Sequence, residues 1–167
     1  MLQCKYKLNV DNLIKEELKM VNISFLNLKV VKESSGRYDV DKKIRCSDDV
    51  FNVAQHVIRA GEYAEENLWL ITLDTKNNIT GIFTVSTGSL NSSIVHPREV
   101  FKRAILQNSA SIIICHNHPS GDPAPSPEDI NITKRIYDAG KILGIELLDH
   151  IIIGDNKYTS LRERGVF

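Results

Sequence analysis

The chain is 167 residues long, 42% hydrophobic and 25% charged, the profile of one globular domain without room for a second of full size. A domain of this length buries about 68–70% of the surface its unfolded chain exposes, so it needs no disulfide or metal to make a core, and a metal in it would serve chemistry. Twenty-one Lys and Arg balance 21 Asp and Glu, which removes the usual electrostatic case for nucleic acid or anionic membrane as an obligatory partner.

Cys4, Cys46 and Cys115 stand at no zinc-knuckle or redox spacing. The sequence therefore predicts neither a disulfide framework nor a cysteine metal site, and the reducing cytoplasm is the expected setting. Lys5, Lys7, Lys15 and Lys19 occupy the stretch where a signal peptide would be apolar. No apolar run approaches the roughly 20 residues that span a bilayer, so no membrane partner is expected.

Residues 1–32 hold six lysines against Asp11, Glu16 and Glu17, and the polar turn Glu33-Ser-Ser-Gly-Arg37 follows. We read residues 1–45 as an N-terminal extension, with strands over 23–32 and 37–44 forming a hairpin across Ser35-Gly36. Ser47 with Asp48 and Asp49 then predicts a capped helix whose Val50, Phe51, Ala54, Val57 and Ile58 recur at helical spacing until Gly61. Strands follow over 68–73 and 79–86 around the five-residue loop Asp74-Thr-Lys-Asn-Asn78, and a third over 88–95. Pro97 opens a helix with Glu99 in its first turn and Val100, Phe101, Ala104 and Ile105 on one face. Ser111-Ile-Ile-Ile-Cys115 suits a buried central strand that empties into a Pro- and Gly-rich loop over 116–127. A helix over 128–143 ended near Gly144, a strand over 147–153 and a short one over 158–160 complete the chain.

The chemistry concentrates in His116-Asn-His-Pro-Ser-Gly-Asp122 and Ser126-Pro-Glu-Asp129. If the strand continues through the histidines, imidazoles two residues apart project to one side and can grip one ion from a rigid edge. Asp129 at the next helix start can add an oxygen. Three protein ligands leave one tetrahedral position open, the arrangement of a catalytic metal site. Ser126 as N-cap, Pro127 at the first helical position and Asp129 in the first turn also satisfy a helix start, and capping and ligation can coexist through different carboxylate oxygens. Asp149-His150 lies beside an apolar strand with the two side chains on opposite faces; we read His150 as structural, with support of the metal site as the alternative. Asn117 and Ser120 either orient the loop or are plain turn residues.

The full pattern, His-x-His, seven residues, Ser, two residues, Asp, resembles the JAMM metalloprotease motif. Over residues 46–167 the chain is similar to the bacterial RadC family, through Glu66 to Asp74, Ser86-Thr-Gly-Ser-Leu-Asn-Ser-Ser93, His96-Pro-Arg-Glu-Val100, the His116 and Ser126 strings, and Asp149-His-Ile-Ile-Ile153. The resemblance implies an α/β (α+β) domain of the JAMM or MPN fold, a curved mixed sheet flanked by helices with a metal at its edge. It implies His116, His118 and Asp129 as ligands of one Zn2+, Ser126 as donor to the oxyanion, and an upstream Glu as base. Glu66 best fits that place, with Glu65 and Glu99 as the alternatives.

The implied reaction is hydrolysis of a peptide or isopeptide bond in a protein or peptide substrate. Two other functions are weighed beside it. A DNA-repair accessory role follows from the RadC resemblance, although residues 1–45 show no Gly-centred hairpin of the helix-hairpin-helix kind that commonly precedes this domain. A metal-stabilised interaction domain without catalysis is the third. An exposed strand edge would let the N-terminal strands cover their own sheet or pair with another copy, so the oligomeric state stays open.

Overall fold

The computed structural model describes residues 22–88 and 95–167. Their five-stranded mixed sheet runs β2-β1-β3-β4-β5, from β1 (Asn67–Leu73), β2 (Ile79–Thr87), β3 (Ser111–Asn117), β4 (Glu146–Ile153) and β5 (Tyr158–Ser160). The central strand β3 is antiparallel to β1 and parallel to β4, and the outer pairs are antiparallel. A parallel pair needs a crossover, and helix α3 (Pro127–Leu143) supplies it. The strand expected over 88–95 lies mostly outside the described residues.

Every residue of β1 and β3 is buried, because their continuous apolar runs are covered on both faces. Alternation along each strand sorts the side chains into two cores. Leu68, Leu70, Ile112 and Ile114 pack with Val100, Phe101, Ala104, Ile132 and Ile136 of helices α2 (Pro97–Leu106) and α3. Trp69, Ile71, Leu73, Ile113 and Cys115 pack with Val50 and Val53 of α1 (Ser47–Val53), and with Ala54 and Ala60 beyond it. Each fully buried Leu or Ile contributes about 1.5–3 kcal/mol, so the β3 end that carries His116 is held from both sides.

β4 contains one residue of slack. Ile112 pairs with Leu147, but Ile113 pairs with Asp149, leaving Leu148 outside the register. Leu147 consequently joins the α3-side core while Ile151 and Ile153 join the opposite one. His150, paired with Ile114, turns to the face on which His116 projects.

Several expectations are corrected. Residues 22–42 enter no helix or strand, and of the two strands expected there only an isolated bridge, Lys43 to Asn78, forms. Ile23, Phe25, Leu26, Leu28 and Val31 are exposed; a lone hairpin has too little surface to bury them against. Ile44 is the first buried residue among those described. Ser47 is helical, and Cys46 takes the N-cap position. Asp49 provides the cap by accepting from the amides of Arg45 (2.7 Å) and Cys46 (3.3 Å), which frees the Ser47 hydroxyl to meet the Tyr158 hydroxyl at 2.9 Å and the Glu163 carboxylate. The helix relaxes into a π turn over Ala54–Ile58 and stops at Arg59, φ 58°, before Gly61. Ile105 is 51% exposed, whereas Val100, Phe101 and Ala104 are buried as expected. No helix among the described residues is long and apolar enough to cross a membrane.

Candidate metal centre

His116 is the penultimate residue of β3, on the α3 face, and His118 follows just beyond the strand, its amide still donating to the Ile153 carbonyl at 2.8 Å. The two residues keep the two-residue period, and their Nε2 atoms face each other at 2.9 Å. Asp129 comes from the first turn of α3, which begins where the sequence predicts, with Ser126 as N-cap and Pro127 at the first position. Glu66 immediately precedes β1, on the neighbouring strand to β3. One ligand atom from each of Glu66, His116, His118 and Asp129 lies within 4.8 Å of every other.

The carboxylate of Asp129 divides its oxygens. Oδ2 accepts from the Ser126 amide (2.8 Å) and hydroxyl (2.7 Å), while Oδ1 stands 3.3 Å from His116 Nε2. Capping thus falls on one oxygen, which also lies 3.5 Å from His118 Nε2, and leaves the other facing His116. The Ser126 hydroxyl, expected to serve an oxyanion, directs its proton to Asp129 here. Glu66 Oε1 lies 3.9 Å from both Nε2 atoms. Glu99 sits on α2 in ion pairs with Lys102 and Arg103 and takes no part in the cluster. Glu65 contributes its backbone carbonyl to Asn117 and Asn67.

Hydrogen bonds fix which nitrogen of each imidazole carries a proton. His118 Nδ1 donates to the Asp122 carbonyl at 2.7 Å, so its Nε2 is the atom left for the site. For His116 the constraint runs through three residues. The Thr133 hydroxyl donates to the Asp129 carbonyl at 2.5 Å and must then accept from His150 Nδ1 at 2.6 Å. His150 Nε2 is left as an acceptor and takes the proton of His116 Nδ1 at 2.7 Å, leaving the His116 Nε2 lone pair for the site.

Electrostatics agree with neutral rings inside. Burial, reinforced by the neighbouring His150, pushes His116 well below the usual histidine range, and burial pushes His150 down to about 4. His118 moves up because its hydrogen bond to Asp129 outweighs its partial burial. Burial works to raise the Asp129 carboxyl, but bonds from His118 and Ser126 hold it well below the carboxylate range. Two imidazole lone pairs this close repel unless a proton or cation lies between them. Two imidazoles and carboxylate oxygens therefore fit a divalent cation.

Thr133 carries the relay yet stands outside the sequence reading, although its position one helical turn after Asp129 places both on one face of α3. His150, fully buried with Nε2 2.7 Å from His116 Nδ1, sits where either the structural role or the alternative of supporting the metal site would place it.

A family profile described as a RadC-like JAB domain matches residues 44–166. The chain is 49% identical over 166 residues to a UPF0758 protein of Clostridium acetobutylicum, covering 94% of this chain and 72% of that one. It is 65% identical over 105 residues to a UPF0758 protein of Clostridium beijerinckii, 63% of this chain and 46% of that one. With a UPF0758 protein of Methanococcoides burtonii it shares 54% over 127 residues, 76% and 55% of the two lengths. The mixed sheet with its His, His, Asp and Glu cluster is that of a JAB-type domain, and the chain belongs to the RadC-like JAB domain family. The chain spans about half the length of the second and third of these relatives.

Proposed function

We propose that the domain is a metal-dependent hydrolase of the JAMM type, cleaving peptide or isopeptide bonds, with Zn2+ as the metal. The convergence of Glu66, His116, His118 and Asp129 within 4.8 Å carries this reading. His116 Nε2, His118 Nε2 and Asp129 Oδ1 are the atoms that would hold the ion. Once bound, Zn2+ would supply Lewis acidity at a carbonyl and lower the pKa of water towards neutrality.

Glu66, with Oε1 3.9 Å from both ligand nitrogens, takes the proton of the attacking water and returns it to the leaving amine. Ser126 swings its hydroxyl proton from Asp129 towards the developing oxyanion.

The test is elemental analysis of the purified protein followed by peptide and isopeptide hydrolysis before and after chelation. Glu66→Gln is expected to keep its zinc and lose hydrolysis. Hydrolysis that survives either this substitution or chelation would overturn the reading.

A further inference from the structure

We propose that Asn117 is a positioning residue for Glu66, gripping the backbone on both sides of it; this rests on Glu66 acting as the proton carrier. β1 and β3 pair from Leu73 with Ser111 as far as Leu68 with His116, and the next rung would join Asn67 to Asn117. At that rung the side chain replaces the backbone. Asn117 Oδ1 accepts from the Asn67 amide at 2.8 Å, and Nδ2 donates to the carbonyls of Glu65 at 3.0 Å and Tyr63 at 3.3 Å.

The flanking residues reinforce the grip. Asn67 Nδ2 donates to the Glu65 carbonyl at 2.8 Å, and the Gly88 amide donates to the Glu66 carbonyl at 2.8 Å. Positions before, at and after Glu66 are thus held by hydrogen bonds, two of them directly by Asn117. Strand alternation sends Asn117 to the face opposite His116 and His118, so it cannot join the ligand nitrogens. One strand therefore aims two imidazoles from one face and, with the residue between them, fixes the segment that brings Glu66 Oε1 to 3.9 Å from both.

The side-chain type matters. An acceptor for one amide and donors for two carbonyls are what a carboxamide offers, and at 3% exposure water cannot replace them. The substitution Asn117→Asp would keep an acceptor for the Asn67 amide while turning an oxygen against both carbonyls.

Crystal structures of the wild type, Asn117→Ala and Asn117→Asp test the proposal directly, with zinc titration alongside. The expected result is unchanged imidazole positions and zinc stoichiometry, with the Glu66 carboxylate displaced from the two nitrogens. Should the alanine variant not fold, the aspartate variant gives the same readout with the Asn67 bond retained. Glu66 remaining in place in a folded variant overturns the proposal.

Kinetics add a second readout. Asn117→Ala should lower kcat about 100-fold, as an ångström-scale misplacement does, with KM nearly unchanged. Combined with Glu66→Gln it should lower kcat no further, because both changes remove one function. Losses that multiply overturn the proposal. If the wild type hydrolyses no peptide, the hydrolase reading fails, while the crystallographic displacement still decides the role of Asn117.

Discussion

His150 Nε2 stands 2.7 Å from His116 Nδ1, and neither ring is exposed. The contact ties the orientation of one imidazole to another that touches none of the ligand atoms, and Thr133 anchors the second ring to the helix that carries Asp129. Replacing His150 by Leu leaves the His116 Nδ1 proton buried without an acceptor, a cost of about 1–3 kcal/mol. We expect His150→Leu and Thr133→Val to weaken zinc binding by about 10–100-fold, the usual effect of losing a group that orients a metal ligand. Competition with a chromophoric chelator measures this, and unchanged affinity in both variants would dismiss the relay.

Gly154 tests the loop that carries His118. A Cβ there would press on the Gly121 carbonyl oxygen and come within 2.7 Å of Pro123 Cδ. Backbone atoms and a proline ring cannot swing aside as a flexible side chain would. Gly154→Ala is expected to destabilise the fold by about 1–3 kcal/mol. It should also weaken zinc binding, because the same loop holds the Asp122 carbonyl against His118 Nδ1. Urea unfolding and zinc titration together decide; loss of stability with intact affinity would show the loop yielding without moving His118.

Metal removal should register in stability. An ion that binds only the folded chain stabilises it by about 2.7 kcal/mol at one hundred times its Kd. Thermal melts with and without excess zinc should therefore differ for the wild type and coincide for His118→Ala. His118 is 16% exposed and belongs to neither core, so its loss should leave the metal-free melt close to that of the wild type. A zinc shift that survives the substitution would place the ion elsewhere.

Thiol labelling offers a pH-dependent check of the sheet. Cys115 is fully buried among Trp69, Ile113 and Ile151, and burial pushes its thiol up to about 12. The thiolate is the reactive species, so alkylation at pH 9 should reach the exposed Cys46 and leave Cys115 unlabelled. Peptide mass mapping separates the sites. Labelling of Cys115 without denaturant would contradict its place between β1 and β4.

Much of this architecture is legible in the residues because local and global preferences coincide. The continuous run Ser111-Ile-Ile-Ile-Cys115 is the central strand, and α3 starts at the Ser126-Pro127 signal and ends where Gly144 turns left-handed at φ 69°. The candidate cluster is equally readable in part, since His116 and His118 need only a strand's period to converge. Other features depend on contacts distant in sequence. Cys46 holds a position better suited to Ser47 because Tyr158 and Glu163, more than 100 residues away, claim the serine hydroxyl. The apolar residues over 23–31 carry the alternation of a strand without a surface that would make one. Asn117 reads as no more than a loop-orienting or plain turn residue because its partners lie 50 to 54 positions upstream.

The unpaired Leu148 sets the phase of everything after it in β4. Were the ladder to run straight through this residue, Asp149 would fall opposite Ile114 and His150 opposite Cys115, delivering a carboxylate to the buried spot beside the first imidazole and exiling its present companion to the far layer. A single kink in the backbone, remote from any ligand atom, thereby chooses between an acid and an imidazole as the inner neighbour of the metal site.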